Sequence, residues 1–175
     1  MTILILGPNG SGKSVCAEKL AARLSDGALY YIATMLPYGE DGRIRVEKHR
    51  QQRADAGFIT IERLNHVSAI PLPPDAVALL EDVSNLLGNA LFGGERDGNI
   101  GGVYADITAM CAKCRASVLV SIDGLAAQSE HDGETRDYID ALNRLNGKLF
   151  EFADAVIAMR DGTPIFLKGD ASAPD

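Results

Sequence analysis

The sequence contains, near its start, the stretch Gly7-Pro8-Asn9-Gly10-Ser11-Gly12-Lys13-Ser14. It matches in full the pattern G-x-x-x-x-G-K-[ST], in which glycines let successive backbone N–H groups turn toward phosphate oxygens. The apolar run at residues 3–6 before it is typical of a buried parallel strand. After it, apolar residues recur at helical spacing, at positions 17, 20, 21 and 24. A loop of this composition between a strand and a helix predicts a nucleotide-binding site.

Each part of this loop has an expected role. The N-terminus of the following helix adds partial positive charge, so we expect all eight residues to contribute to nucleotide binding. Lys13 can reach the β- and γ-phosphates, and the Ser14 hydroxyl can ligate Mg²⁺. The alternative is a glycine-rich turn with a surface lysine. Nucleotide binding is favoured because the strand, the loop and the helix are all in register.

Composition and charge restrict the class of protein. The chain has 175 residues, of which 46% are hydrophobic and 23% charged, and this predicts one soluble domain over residues 1–175 with a loose tail from about 169 to 175. The net charge of −7 argues against nucleic acid as the main partner. No apolar run approaches the roughly 20 residues of a membrane helix, and the N-terminus lacks the basic region of a signal peptide. We therefore expect a cytoplasmic protein without a membrane span.

The cysteines are expected to be free thiols. There are 3 of them, an odd count in a chain with cytosolic character. Cys111 and Cys114 form a lone C-x-x-C pattern in a predicted helix. Zinc would need further ligands at suitable spacing, and the sequence supplies none. We interpret the pair as helix cysteines without a redox role.

The rest of the chain alternates between strand-like and helix-like segments. Apolar runs predict strands at 28–33, 58–62, 76–80 and 117–121, and a hairpin formed by 155–159 and 164–167. Helical patterns predict helices at 43–53, 83–92, 103–113 and 135–152, and clustered glycines predict a flexible surface loop at 93–102. This alternation predicts an α/β fold, a P-loop NTPase-type three-layer sandwich around a mainly parallel sheet with a C-terminal β-hairpin.

Two acids end the strand predicted at 76–80. Glu81 and Asp82 stand where a P-loop protein places the acid that holds Mg²⁺ or its water shell. We therefore expect Ser14, Glu81 and Asp82 to form the metal site. For Asp82, an ordinary cap of the following helix is an alternative interpretation.

A basic face is predicted on the helix at 43–53. Arg45, His49 and Arg53 are spaced at i, i+4 and i+8, and Arg50 lies beside them. The helix has few large apolar residues to bury. On spacing alone, a solvated basic helix is the favoured interpretation.

Two common P-loop classes are not supported. The chain lacks the Leu-Ser-Gly-Gly-Gln-like signature of ABC transporter ATPases and the Asn-Lys-x-Asp stretch of GTPase switch proteins. It resembles instead the bifunctional adenosylcobinamide kinase/adenosylcobinamide-phosphate guanylyltransferase family of cobalamin biosynthesis. The resemblance extends to about Lys168 and is carried by the phosphate-binding loop, Tyr31-Ile32-Ala33-Thr34, the segment 45–53 with its His-Arg-x-x-Arg element, 58–62, 79–81 with Asn85, Leu86 and Asn89, and Tyr138 with 142–146.

The resemblance implies a two-step enzyme. A nucleoside triphosphate first phosphorylates the aminopropanol hydroxyl of adenosylcobinamide. GTP then guanylylates His49, and the GMP passes to the new phosphate. Arg45 and Arg53 would keep the imidazole neutral and hold the α-phosphate, while Lys13 and Glu81 would serve the kinase step. The resemblance also implies that Thr34, Arg50 and Glu62 bind nucleotide. It implies that the substrates are GTP or ATP and the corrinoid, with Mg²⁺ as cofactor. The implied assembly is a homotrimer.

The chain departs from the family pattern at three places. Asp82 stands where many members have Cys, and Ala54 where many have Pro. Residues 122–125 replace an Asn-rich stretch, in a loop that we expect to border the active site. His66 and His131 match nothing in the family and are interpreted as incidental surface residues.

Two other functions remain open from the sequence. A P-loop kinase of another small alcohol would need Lys13 and Glu81 but not His49. A non-catalytic regulator would bind the nucleotide without turnover.

Overall fold

The apolar runs of the sequence form one mainly parallel sheet. The computed structural model describes residues 1–35, 56–93, 99–125 and 133–169. The strands are β1 (Thr2–Gly7), β2 (Leu29–Ala33), β3 (Ile59–Glu62), β4 (Val77–Glu81), β5 (Ala116–Ile122), β6 (Ala155–Arg160) and β7 (Thr163–Lys168). They form a 7-stranded sheet in the order β3-β2-β4-β5-β1-β6-β7. β7 runs antiparallel to β6, and all other neighbouring pairs are parallel. The predicted parallel sheet and C-terminal hairpin are confirmed.

Helices cover both faces of this sheet. They are α1 (Lys13–Leu24), α2 (Val83–Phe92), α3 (Ile100–Cys111) and α4 (Gly133–Phe152), with a short 3-10 turn at Val67–Ala69. The alternation of β1 shows how the two cores separate. Ile3 and Ile5 pack with the buried face of α1, whereas Leu4 and Leu6 pack with α2, α3 and α4. The described residues thus form two apolar cores, one on each face of the sheet.

Strand register brings four strand ends to one edge of the sheet. Strand β5 lies between β1 and β4, and pairs Ile122 with Gly7 and Val120 with Glu81. Strand β2 flanks β4 on its other side and pairs Ala33 with Glu81. The carboxyl ends of parallel strands are where α/β proteins bind ligands, so this edge is the place to look for a site.

The prediction of a loop at 93–102 is wrong at residues 100–102, which belong to α3. Helix α3 begins at Ile100, because Asn99 caps it and its Oδ1 accepts a 2.9 Å hydrogen bond from Gly102 N. The start was missed in the sequence because the glycines at 101 and 102 disfavour a helix. The other predicted helix boundaries from 83 onward agree within about two residues. The predicted helix at 43–53 lies outside the described residues, as does the predicted tail apart from Gly169.

All three cysteines are free thiols in the structure. Cys111 closes α3, whereas Cys114 follows the helix end. Burial raises the pKa of the Cys111 thiol to about 11, which keeps it protonated at neutral pH. The described ranges hold no group of three metal-ligating His, Cys, Asp or Glu side chains. Nor do they contain a helix long and apolar enough to cross a membrane.

A buried asparagine fixes α4 against the sheet. Asn146 Oδ1 accepts a 2.7 Å hydrogen bond from the buried hydroxyl of Ser121, and its Nδ2 donates to Ile122 O at 2.8 Å. We expect Asn146→Ala to lower the free energy of unfolding by about 1–3 kcal/mol, because it leaves a buried hydroxyl and a carbonyl unpaired. Urea unfolding measures this. Asn143→Ala, at an exposed position of the same helix, is the control, and equal losses in the two variants would contradict the assignment.

Candidate active site

The loop between β1 and α1 has the backbone shape of a phosphate-binding loop. Gly10 has φ 76° and Gly12, which precedes α1, has φ 85°, both in the left-handed region that favours glycine. A Cβ at Gly7 would lie 2.6 Å from Ser11 Oγ and 2.8 Å from Met159 O, so a side chain is excluded there. The Ser11 hydroxyl is buried and has no hydrogen-bond partner among the described residues. An unpaired buried donor in such a loop fits a phosphate oxygen.

The Lys13 ammonium lies against this loop. Its Nζ donates to Pro8 O at 2.8 Å, and the residue is buried. Burial lowers the pKa of Lys13, whereas the nearby carboxylates of Glu81, Asp82 and Asp123 act in the opposite direction. These acids therefore help to keep Lys13 protonated, and the protonated ammonium can pair with a phosphate.

A hydrogen bond joins the loop helix to the acidic strand. Ser14 Oγ, in the first turn of α1, donates to Glu81 Oε1 at 2.5 Å. Glu81 Oε2 is buried and has no hydrogen-bond partner in the described part of the chain. A hydroxyl and a carboxylate are oxygen ligands of the kind Mg²⁺ takes beside a nucleotide. Because Glu81 Oε2 has no partner among the described residues, it is available as an oxygen ligand for such an ion.

Burial also sets the protonation of Glu81. It raises the pKa of the carboxyl to about 7, and the carboxylates of Asp82 and Glu18 act in the same direction. The hydrogen bond from Ser14 and the charge of Lys13 oppose the shift. A nearby cation favours the ionised form of a carboxyl. Binding of a divalent cation would therefore lower the pKa of Glu81 and favour its ionised form.

Thr34 holds the backbone from which Glu81 projects. Its buried hydroxyl accepts from Asp82 N at 2.8 Å and lies 2.8 Å from Asp82 O and 3.1 Å from Glu81 O. Asn89 Nδ2 in turn donates to Thr34 O and Leu64 O, at 2.8 and 3.0 Å. These contacts give Thr34 a supporting role at the site. Its predicted contact with nucleotide stays a prediction.

Asp82 is the N-cap of α2. Its Oδ1 accepts from Asn85 N at 2.6 Å and from Ser84 Oγ at 2.5 Å. The capping interpretation therefore accounts for this oxygen. A role of Asp82 toward the metal stays a prediction.

Sequence reasoning missed the role of Asp123, the first residue after β5. Its backbone N–H donates to Gly7 O at 3.2 Å, and its carboxylate pairs with both terminal nitrogens of Arg160, at 2.7 and 3.1 Å. The loop after β5 thus leaves the sheet beside the phosphate-binding loop, as expected. The signal in the sequence was an acidic residue directly after the apolar strand β5, where a residue of a parallel sheet can reach the site.

The remaining predicted residues divide into two groups. Glu62 ends β3 and is exposed at the same edge of the sheet, where it pairs in register with Ala33. The basic residues of the second step, which are Arg45, His49, Arg50 and Arg53, lie outside the described residues, as does His131. His66 is exposed at the start of the 3-10 turn.

The raised pKa of Glu81 predicts a pH-dependent effect of Glu81→Gln on stability without metal. Below about pH 4.5 the carboxyl is protonated in the folded and the unfolded chain, and above about pH 7 it is ionised in both. The ionised form is desolvated only when folded, so the parent should lose stability relative to the variant as pH rises through this range. The difference is at most about 3 kcal/mol. Urea unfolding in EDTA at pH 4.5 and pH 8 measures it, and an identical difference at both pH values would contradict the burial argument.

Comparisons with known proteins agree with this geometry. The family model CobU, cobinamide kinase / cobinamide phosphate guanyltransferase, matches residues 3–167. Among solved structures, the flagellar accessory protein FlaH from Methanocaldococcus jannaschii has a TM-score of 0.54 and 13% identity, covering 99% of this chain and 80% of that chain. A second solved structure, an ATPase domain, has a TM-score of 0.54 and 13% identity, covering 99% of this chain and 78% of that chain. A comparison with curated proteins returned no match.

These findings differ in what they show. The solved structures are too distant in sequence to show more than the fold, and they confirm the predicted P-loop type of α/β sandwich. The family match spans nearly the whole chain and confirms the resemblance found in the sequence. The chain therefore belongs to the cobinamide kinase / cobinamide phosphate guanyltransferase family, a family of transferases in cobalamin biosynthesis.

Proposed function

We propose that the protein is an adenosylcobinamide kinase and adenosylcobinamide-phosphate guanylyltransferase. It phosphorylates the aminopropanol hydroxyl of adenosylcobinamide and then transfers GMP from GTP to that phosphate through His49. The observation that carries the proposal is the Ser14–Glu81 hydrogen bond beside the phosphate-binding loop, in a chain of this family. Both steps need a nucleoside triphosphate held at this edge of the sheet.

The kinase step uses the described residues. The loop backbone and Lys13 hold the phosphates, with GTP or ATP as the donor. Ser14 and Glu81 would hold Mg²⁺, which supplies charge neutralisation when bound. Thr34 keeps the Glu81 backbone in place, as its hydrogen bonds indicate. The alcohol oxygen attacks the γ-phosphorus and gives up its proton, and the bond from that phosphorus to the bridging oxygen breaks, so that the nucleoside diphosphate leaves. This direct transfer needs positioning and charge rather than a protein nucleophile.

The guanylyl step uses the basic residues of the segment at 43–53. A ring nitrogen of neutral His49 attacks the α-phosphorus of GTP, so that an N–P bond forms and pyrophosphate leaves. A phosphate oxygen of the corrinoid then attacks the same phosphorus, and the N–P bond breaks to release free histidine. Arg45 and Arg53, spaced to share a helix face with His49, support this role, because guanidinium groups disfavour imidazole protonation and hold phosphate.

Assembly and location complete the proposal. We expect a cytoplasmic homotrimer, following the family resemblance. Support for self-association comes from β7, which is the last strand of the described sheet and carries Ile165, Phe166 and Leu167 at 46%, 54% and 50% exposure. An apolar strand at a sheet edge is a surface that another subunit can cover.

Lys13→Ala should abolish both activities and weaken GTP binding at least about tenfold, because a charged hydrogen bond to phosphate is worth about 1.5–3 kcal/mol. Isothermal calorimetry with GTP and Mg²⁺ measures the affinity. Lys19→Ala, an exposed lysine of the same helix, is the matched control and should bind like the parent. A Lys13→Ala affinity within twofold of the parent would refute the role of the loop.

His49→Ala should eliminate guanylyl transfer and leave phosphorylation of adenosylcobinamide largely intact, because only the second step needs a nucleophile. Intact-mass measurement after incubation with GTP and Mg²⁺ should show a GMP-sized gain on the parent and none on the variant. His66→Ala, which changes an exposed histidine, is the control and should still gain the adduct.

Each other result has a distinct meaning. A GMP adduct on His49→Ala would show that another residue is the nucleophile. Kinase activity in a parent that never gains GMP would favour a kinase of an alcohol without guanylyl transfer. Binding of GTP without either activity would favour a regulator.

A further inference from the structure

A cleft opens between α2 and the first turns of α4. Phe92, Glu134, Thr135 and Tyr138 line it, and its volume is about 220 Å³. Phe92 is the last residue of α2, and the other three lie in the N-terminal third of α4. The cleft therefore has one aromatic wall and one polar rim.

The aromatic wall is formed by a ring pair. The ring centroids of Phe92 and Tyr138 are 6.1 Å apart, with an interplanar angle of 50°. Tyr138 is half-buried and packs over Gly88, where a Cβ would lie 3.8 Å from the tyrosine ring. Phe92 remains 46% exposed. A large aromatic side chain left open to solvent at the mouth of a cleft is typical of a binding surface.

Short contacts connect this wall to the acidic strand end. The Tyr138 hydroxyl donates to Ser84 O at 2.9 Å, and the Ser84 hydroxyl donates to Asp82 Oδ1 at 2.5 Å. Burial raises the pKa of Tyr138, and the carboxylate of Asp82 acts in the same direction. Asp82 directly follows Glu81, the acid of the candidate metal site. Tyr138 thus links the cleft to the strand end that carries the candidate metal site.

We propose that this cleft binds the phosphate acceptor, with the Phe92–Tyr138 ring pair packing against an edge of the corrinoid. The inference rests on the proposed function and names a substrate-binding surface for it. A volume of about 220 Å³ holds part of a corrinoid and not the whole, so the cleft takes one edge of the ring system with its amide side chains. The rings supply the apolar contact, and the Glu134 carboxylate at the rim accepts hydrogen bonds from amide N–H groups.

A second cavity, of about 170 Å³, touches α2 through Leu86 and Ala90 and fits an acceptor less well. The Asp106 carboxylate in its lining already accepts hydrogen bonds from Val67 N and Ser68 N, at 2.8 and 2.9 Å. None of its described lining residues carries a phenyl or phenol ring against which a corrinoid could pack. The aromatic cleft is therefore the assigned acceptor surface.

The chain offers a matched control for the aromatic wall. Phe152 ends α4 as Phe92 ends α2, is 37% exposed, and has its ring centroid 6.2 Å from that of Tyr104. Both pairs join a partly exposed phenylalanine at a helix end to a tyrosine of another helix. Phe152 lies nineteen residues after the start of α4, the helix whose first turns line the cleft. It should therefore have no role in acceptor binding.

The experiment compares Phe92→Ala with Phe152→Ala. Calorimetry should show adenosylcobinamide binding at least about tenfold weaker for Phe92→Ala, with GTP affinity within about twofold of the parent, and no change for Phe152→Ala. Phe92→Tyr, which keeps the ring, should restore binding. Tyr138→Phe should bind within about threefold of the parent, because the hydroxyl is engaged by Ser84 and the ring remains. If Phe92→Ala folds poorly, Phe92→Gln gives the same comparison at an exposed helix end.

Failure of this inference is distinguishable from failure of the proposed function. If the parent binds and phosphorylates adenosylcobinamide and Phe92→Ala, or Phe92→Gln in its place, does so equally well, the cleft assignment is overturned and the function stands. If the parent binds GTP but no adenosylcobinamide, the proposed function and the cleft assignment both fall. Equal loss of corrinoid affinity in Phe92→Ala and Phe152→Ala would also overturn the assignment, because it would show a nonspecific effect.

Discussion

The hydrogen bond from Ser14 to Glu81 is the contact on which the site depends. It joins the first turn of α1 to the end of β4, across the intervening strand β5. It can form only because the parallel register brings Gly7 and Glu81 to the same edge of the sheet. Burying the Glu81 carboxyl raises its pKa and opposes folding of the ionised form. The hydrogen bond from Ser14 and the charge of Lys13 oppose this shift. Thr34 holds the backbone at Glu81 O, Asp82 N and Asp82 O.

The phosphate-binding loop, the candidate metal site and the aromatic cleft follow one another along this edge of the sheet. The loop and Lys13 lie at the end of β1, the oxygens proposed to bind Mg²⁺ lie between α1 and β4, and the aromatic cleft lies between the last residue of α2 and the first turns of α4. A nucleotide held on the loop would direct its terminal phosphate toward Glu81. An acceptor packed on Phe92 and Tyr138 would approach the same point from the α4 side. In the proposed two-substrate reaction, the phosphate donor and the acceptor would meet at this edge.

The sequence was sufficient where a local pattern decides the structure. The glycine spacing at 7–14 predicted the loop, the apolar run ending at Glu81 predicted the acidic strand end, and α2 begins and ends as predicted. It was not sufficient where distant segments meet. The pairing of Asp123 with Gly7 depends on the register of β1 with β5, and the Phe92–Tyr138 contact joins helices that are separated by α3 and β5. The start of α3 was missed because a single capping side chain, Asn99, outweighed two helix-disfavouring glycines. The roles of Arg45, His49, Arg50 and Arg53 stay predictions.

A crystal structure with Mg²⁺ and a non-hydrolysable GTP analogue tests the central claim most directly. The account predicts phosphates enclosed by residues 7–14, and a metal ion bound by Ser14 Oγ at about 2.0–2.1 Å, with Glu81 as a direct ligand or one water away. Binding of the ion would replace the Ser14–Glu81 hydrogen bond. A nucleotide bound elsewhere, or a metal ion that neither Ser14 nor Glu81 approaches, would contradict the account.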